Sequence, residues 1–162
     1  MTTRRQFLKT GLAGGLLLNV VACTNDSTAR SKRTALLTAI VPVFLAGALP
    51  AAGAAREAAV ATTVAGIEQA IAGLSLAAQK EIGELFSLLA FAPARVIAAG
   101  VWADWPDATP QAIGAFLESW RHSRFELLCS AYAALHDLVF GAFYARPETW
   151  SAIGYPGPPK VA

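Results

Sequence analysis

The sequence predicts an all-α protein: a small bundle of about six helices, with an N-terminal signal and lipid tether and an extended proline-rich C-terminal arm. Apolar residues recur at spacings of three and four along most of the chain, and no run alternates as a β-strand would. Residues that start helices, such as Ser75 and the pair Thr109–Pro110, separate these stretches. The length of 162 residues suits one domain.

The composition excludes several classes of protein. Hydrophobic residues make up 55% of the chain and charged residues only 15%, which argues against disorder over most of its length. The net charge of +2 is too small for a nucleic-acid binder. Two cysteines cannot form a disulfide-rich scaffold or a four-thiolate metal site. The high content of apolar residues is compatible with three interpretations: a membrane protein, an export signal on an all-helical domain, or a domain with a large partner-facing surface.

Residues 1–22 have the pattern of a twin-arginine export signal. Its signature residues are Arg4, Arg5, Phe7, Leu8 and Lys9. The apolar run that follows, residues 10–22, contains three glycines and is shorter than the about 20 apolar residues of a spanning helix. An ordinary membrane anchor with a basic start is the alternative. We therefore expect the chain to interact with the twin-arginine translocase.

A cysteine closes this signal in a sequence that resembles a bacterial lipobox. Val-Val-Ala precedes Cys23, which we expect to be lipidated and to become the first mature residue. Simple cleavage in front of it is the alternative. The polar residues 23–33 are predicted to form a flexible tether to a single helical domain, residues 34–162. Lipidation would leave Cys129 as a buried free thiol or, alternatively, a contact to another subunit.

Removal of the signal changes the charge of the protein. Arg4, Arg5 and Lys9 are three of the 13 basic residues, so ten basic residues remain against eleven acidic ones, a net charge of −1. The mature domain therefore offers no electrostatic case for binding nucleic acid or anionic lipid.

The apolar run from Ala35 to Ala55 is predicted to contain a core helix over about residues 33–45, followed by a turn at Leu49 and Pro50. Its length would also suit a membrane segment. Pro42 and Pro50 interrupt the run, however, and both would have to be kinks in a spanning helix. We therefore favour the core helix.

Apolar spacing and capping residues place further helices at about residues 54–74, 76–90, 93–101, 110–122 and 123–144. The first carries one apolar stripe, formed by Val60, Val64, Ile67 and Ile71. In the last, the residues expected to point inward are Leu127, Leu128, Tyr132, Leu135, Leu138 and Val139. A short turn follows from Pro147 to Gly154, and residues 155–159 are expected to be extended.

No catalytic, metal-binding or cofactor motif stands out. Gly-rich nucleotide loops and a haem-attachment motif are missing from the sequence. On one continuous helix His122 and His136 would lie about 21 Å apart, too far to share a metal. The charged residues around them are interpreted as a surface ion-pair network: Arg121, His122, Arg124, Glu126, His136 and Asp137. A catalytic His136–Asp137 pair is the alternative.

Aromatic residues are concentrated in the second half of the chain. We expect Trp120, Phe140 and Phe143 to fill the core. For Trp102, Trp105, Trp150 and Tyr155, a partner surface is as plausible as the core, since Trp and Tyr are enriched at interface hot spots. The partner surface is predicted at Trp120, Arg121, Tyr144, Trp150, Tyr155 and Pro156.

The C-terminal third carries a resemblance to a known family. Its motif residues are Phe116, Trp120, Arg121, Arg124, Phe143, Tyr144, Pro147, Trp150 and the ending Ile-Gly-Tyr-Pro-Gly-Pro-Pro over residues 153–159. This order resembles the gluconate 2-dehydrogenase subunit 3 (gamma) family. The resemblance implies a small exported subunit that accompanies a membrane-bound flavoprotein dehydrogenase of the glucose–methanol–choline class. FAD is then expected in the partner and no cofactor in this chain.

The export signal agrees with this expectation. The twin-arginine route carries proteins that are already folded, and a small helical protein without a cofactor motif has little need of it. We therefore expect a non-catalytic subunit that escorts the FAD-containing subunit and is held by the lipid on Cys23 at the periplasmic face of the envelope, at the inner rather than the outer membrane. Electrons would pass to a cytochrome c or quinone acceptor. The alternatives are an independent envelope lipoprotein and a small enzyme using His136 and Asp137.

Overall fold

The structure, a computed structural model, describes residues 26–158. Residues from Arg33 onward belong to one compact unit, separate from the residues before it. Within the described residues the secondary structure is helical throughout and contains no strand, which confirms the predicted all-α class. The predicted signal, Cys23 and the last four residues of the C-terminal arm lie outside the described part of the chain.

Six helical segments form the described part of the fold. They are α1 (Asp26–Phe44), α2 (Ala54–Ala72), α3 (Leu76–Ala90), α4 (Ala92–Ala99), α5 (Pro110–Arg121) and α6 (Glu126–Tyr144). The second half of α4 is a π-helical turn, and two 3₁₀ turns cover Trp105–Asp107 and Pro147–Ile153. Ser75 and Thr109 cap their helices as predicted, because each side-chain oxygen accepts a hydrogen bond from the backbone N–H three residues later.

Helix α1 begins at Asp26, so the residues predicted as a flexible tether are helical from that point on. The segment from Asp26 to Val41 contains neither Gly nor Pro, and nothing in it stops a helix from extending toward the N-terminus. The buried face of α1 is formed by Leu36, Leu37, Ile40 and Val41. The chain then turns through Gly47, whose φ of 87° suits glycine. The run Ala35–Ala55 is thus a core helix followed by a turn, as we favoured.

Helices α2 and α6 pack closely against each other. The predicted stripe of α2 is buried, and Gly66 allows the close approach, since a Cβ there would lie 3.3 Å from the Cβ of Ala142. On α6 the buried residues are Leu135, Val139 and Phe143. These contacts form the centre of the core together with α1 and α5.

One residue of α6 was assigned to the wrong face. Leu127, which we expected to point inward, is 79% exposed. It lies eight residues before the buried Leu135, which rotates it by about 80° from the buried stripe, whereas Leu128 is rotated by only about 20°. Leu128 is accordingly half-buried against the core.

By length and composition, α6 is the one helix among the described residues that could cross a membrane. Taken together, α3 and α4 are also long and apolar enough to cross a membrane, but the two helices meet at an angle of 84° at the break between them. Helix α6 carries three buried residues of the core. Core helices of soluble proteins share such apolar composition, so the composition alone assigns no membrane crossing.

Candidate functional site

The residues predicted for the partner surface lie in different environments. Trp120 is 1% exposed, which confirms the expectation that it fills the core and shows that its additional assignment to the partner surface was wrong. Its Nε1–H donates to the carbonyl of Ala98 at 2.7 Å, and its ring meets the edge of Phe116 at a centroid distance of 4.8 Å. The neighbouring Arg121 is exposed and pairs with Glu118. The helical period explains the difference, because adjacent residues point about 100° apart.

The other predicted residues meet at the C-terminal turn. Trp150 is half-buried, and its Nε1–H donates to the carbonyl of Tyr144 at 2.7 Å. The ring of Tyr155 stands edge-on to Trp150 at 5.3 Å, and the Tyr155 N–H donates to the Trp150 carbonyl. Tyr155 and Pro156 are exposed. Trp150, Tyr155 and Pro156 therefore form one surface, which we call the C-terminal aromatic surface. Tyr144 contributes its backbone carbonyl to it, while its ring packs against Phe140 and Phe143.

The start of the C-terminal arm lies against the domain instead of projecting as an extended segment. Gly157 has a φ of 97°, and a Cβ at this position would lie 3.1 Å from the ring of Trp150. Glycine is required by both the backbone angle and the close approach. The arm is thus folded onto Trp150 as far as the structure describes it, which corrects our expectation.

Polar contacts hold this surface to the rest of the domain. The buried Thr149 donates its hydroxyl hydrogen to backbone carbonyls at the end of α6, with a 2.7 Å contact to Arg146 O. Arg146 donates in turn to Thr63 Oγ1 on α2 at 3.1 Å. The Nε of Arg146 is buried without a hydrogen-bond partner. Sequence reasoning missed Arg146, whose only signal was its position directly before Pro147.

The two tryptophans of the loop after α4 differ in their exposure to solvent. Trp105 is buried and donates its Nε1–H to the carbonyl of Leu89 at 2.9 Å. Trp102 is 81% exposed. The sequence pattern left both positions open between core and surface, and only the packing of the 3₁₀ turn distinguishes them.

A buried arginine, also missed by sequence reasoning, organises this loop. Arg95 lies in the π-helical turn, and its guanidinium donates to the carbonyls of Val101 and Trp102 at 3.2 and 3.4 Å. Its Nη1 also pairs with Asp104 at 2.8 Å. The available signal was a single charged residue in an otherwise apolar run, which requires a local partner if that residue is buried.

An aromatic ladder on α6 borders an open groove of about 510 Å³. Tyr132, His136, Phe140 and Tyr144 follow one another at four-residue steps, and His136 stacks on Phe140 at 4.3 Å. Phe44 of α1 covers the first three rings. The groove is shallow, and its polar edge includes Arg121 and Asp137.

The charged residues around this groove have the geometry of surface ion pairs. His136 Nδ1 lies 3.0 Å from Asp137 Oδ1, on the exposed side of α6. His122 lies on the other side of the break between α5 and α6 and pairs with Glu118 at 2.9 Å. No group of three metal-ligating side chains occurs in residues 26–158. Cys129, which we expected to be a buried free thiol or a contact to another subunit, is only half-buried. Its thiol donates to the carbonyl of Ser123 at 3.1 Å.

A second groove, of about 730 Å³, lies between α1 and α5. Its walls are mainly small and apolar, including Ala39, Pro42 and Pro110, with Arg56 as the charged residue in its lining. Such a lining offers few groups that could orient a polar ligand. Comparisons with known proteins find no matching family, no matching curated protein and no matching solved structure.

Proposed function

We propose that this protein is a non-catalytic accessory subunit and export escort of a periplasm-facing, FAD-dependent dehydrogenase of the glucose–methanol–choline class, acting on a sugar, a sugar acid or an alcohol. The observation that carries the proposal is the twin-arginine signature on a chain whose C-terminal motif leaves Tyr155 and Pro156 exposed above the half-buried Trp150. The family resemblance of that motif supplies the class of partner.

The architecture of the C-terminal aromatic surface supports a role in protein binding. Tyr155 and Pro156 are exposed, while Trp150 beneath them is held by its hydrogen bond to Tyr144. A surface that is ordered before binding loses little conformational entropy in the complex. Aromatic residues are among the residue types that dominate interface hot spots.

The export signal supports the escort role. The sequence carries no nucleotide-binding or haem-attachment motif, so the small subunit alone gives no reason to use a route for folded cargo. A partner that folds around FAD in the cytoplasm does give such a reason. The pair would cross the membrane together on the signal of this chain, with Arg4 and Arg5 as the signature residues.

After export, the lipid on Cys23 would hold the complex at the periplasmic face of the inner membrane. Electrons would leave the flavin for a cytochrome c subunit or a quinone. This chain contributes no redox group to that transfer in the proposal. An independent envelope lipoprotein is the alternative, and it would have no flavoprotein partner.

The proposal predicts a gene for a flavoprotein of the glucose–methanol–choline class next to this one, and co-expression with that gene tests it. The flavoprotein should copurify with this chain, and Arg4→Lys combined with Arg5→Lys should leave the flavoprotein in the cytoplasm. Tyr155→Ala combined with Pro156→Ala should release the flavoprotein while this chain is still exported. The matched control is Leu127→Ser, an exposed apolar residue outside the C-terminal aromatic surface. Normal flavoprotein export with the double-lysine variant would refute the escort role.

A further inference from the structure

The bend between α3 and α4 exposes the largest apolar side chains of the loop region. The two helices meet at 84°. Ile97 is 86% exposed, Phe91 is 61% exposed, and Trp102 and Leu88 are also exposed. We call these four residues the apolar bend. None of them lines either of the two grooves described above, so they project outward instead of enclosing a binding cavity.

The segment that carries the apolar bend has no free charge. Between Leu85 and Ala103 the single charged residue is Arg95. Its side chain is buried, and Asp104 neutralises it at 2.8 Å. A protein-binding surface normally has a polar rim that supplies hydrogen bonds. The 19 residues from Leu85 to Ala103, which include the apolar bend, contain no charged side chain other than the buried Arg95.

Four backbone carbonyls around the bend accept hydrogen bonds from side chains of the same domain. Arg95 donates to Val101 and Trp102 across the loop. The indole of Trp105 donates to the carbonyl of Leu89 at 2.9 Å, and that of Trp120 donates to the carbonyl of Ala98 at 2.7 Å. Breaks in a helix normally leave carbonyls for water to solvate. Internal satisfaction of these groups is what a lipid environment requires of non-helical backbone.

We propose that the apolar bend inserts into the interfacial region of a lipid bilayer. Its residue types are those of interfacial anchors: a Trp, a Phe and branched aliphatic side chains, all exposed at a bend of 84°. The exposed charges that flank it are mainly acidic, including Asp104, Asp107 and Glu84. Insertion is therefore driven by apolar burial and needs no anionic headgroup. The proposed lipid on Cys23 supplies proximity to a bilayer, and to that extent the inference rests on the proposed function.

The test uses the full chain with Cys23→Ser, which removes the lipid, and phosphatidylcholine vesicles whose acyl chains carry bromine. Brominated chains quench only those tryptophans that reach the membrane. We expect marked quenching that Trp102→Phe abolishes, because Trp105 and Trp120 are buried and Trp150 is half-buried in the C-terminal aromatic surface, outside the apolar bend. Phe91→Ser combined with Ile97→Ser should lower the quenching of Trp102 several-fold. Replacing part of the phosphatidylcholine with phosphatidylglycerol should not increase it.

Leu127→Ser is the matched control, because Leu127 is as exposed as Trp102 but lies on α6. It should leave the quenching unchanged. The apolar run of the signal can bind vesicles by itself, but such binding leaves Trp102 in water. Quenching that is absent, or that survives Trp102→Phe, would overturn the inference. Protection of Trp102 from a water-soluble quencher by the flavoprotein, without protection by vesicles, would overturn it in favour of a protein interface.

This result is independent of the escort test. Quenching of Trp102 together with normal flavoprotein export in the double-lysine variant would uphold the membrane contact and reject the proposed function. Flavoprotein export that depends on this chain, without quenching of Trp102, would do the reverse. Circular dichroism of the Phe91 and Ile97 double variant checks its fold, and Trp102→Phe provides a conservative second variant.

Discussion

Replacement of Trp120 by alanine distinguishes a core residue from a residue of a partner surface. The indole is 1% exposed, packs edge-on against Phe116, and donates a hydrogen bond to Ala98. Its removal leaves a large cavity, which costs about 3–5 kcal/mol for a buried Trp. The carbonyl of Ala98 also loses its donor, which adds about 1–3 kcal/mol if water cannot replace it.

We therefore expect Trp120→Ala to lower the free energy of unfolding by at least about 3 kcal/mol. Trp120→Phe keeps an aromatic ring against Phe116 but loses the hydrogen bond, so a smaller loss of about 1–3 kcal/mol is expected. Urea denaturation of the full chain, with Cys23→Ser in every variant and followed by far-UV circular dichroism, measures both values. The change in midpoint should occur at a constant denaturant slope.

Trp102→Ala is the matched control for this experiment. Trp102 is a tryptophan of the same domain but is 81% exposed, so its removal should change the free energy of unfolding by less than about 0.5 kcal/mol. An unchanged stability of Trp120→Ala, accompanied by loss of flavoprotein binding, would refute the assignment of Trp120 to the core. Equal destabilisation by the two variants would refute the packing argument itself.

Three further predictions concern the cap, the arm and the histidine. Thr109→Ala should destabilise the protein by about 1 kcal/mol in urea denaturation, because Ala112 N–H loses its acceptor, whereas Thr109→Ser should retain most of the stability. Gly157→Ala should displace the arm from Trp150, since a φ of 97° is strained for alanine and the new Cβ would lie 3.1 Å from the ring. A loss of near-UV circular dichroism from Trp150 checks this, and an unchanged spectrum would contradict it. His136→Ala should leave the turnover of the copurified dehydrogenase unchanged, because His136 and Asp137 form an ion pair on the surface of α6. A large loss of turnover would instead support a catalytic role for His136 and Asp137.

Much of the secondary structure follows from local signals in the sequence. Ser75 and the pair Thr109–Pro110 mark helix starts, and Gly154 marks the end of the last turn. These signals act over a few residues, so they can be read without knowledge of the fold. The start of α1 was placed too late because the polar residues before Arg33 favour a solvated segment without forbidding a helix.

The environment of individual aromatic side chains could not be read in the same way. Trp102 and Trp105 are three residues apart in one loop, yet one is exposed and the other is buried. Their difference depends on where the 3₁₀ turn meets the end of α3, which is a contact between segments distant in sequence. The same applies to Arg95, whose burial becomes acceptable only when the loop carbonyls and Asp104 surround it.

The amino-acid pattern alone was sufficient for the all-α class, the helix caps and the buried stripe of α2, because spacing and capping are properties of short segments. The folded domain was needed to exclude Trp120 from the partner surface, to fold the arm onto Trp150 and to reveal the apolar bend. Burial depends on which helix faces pair, and that pairing is made by contacts across the domain that no local pattern encodes.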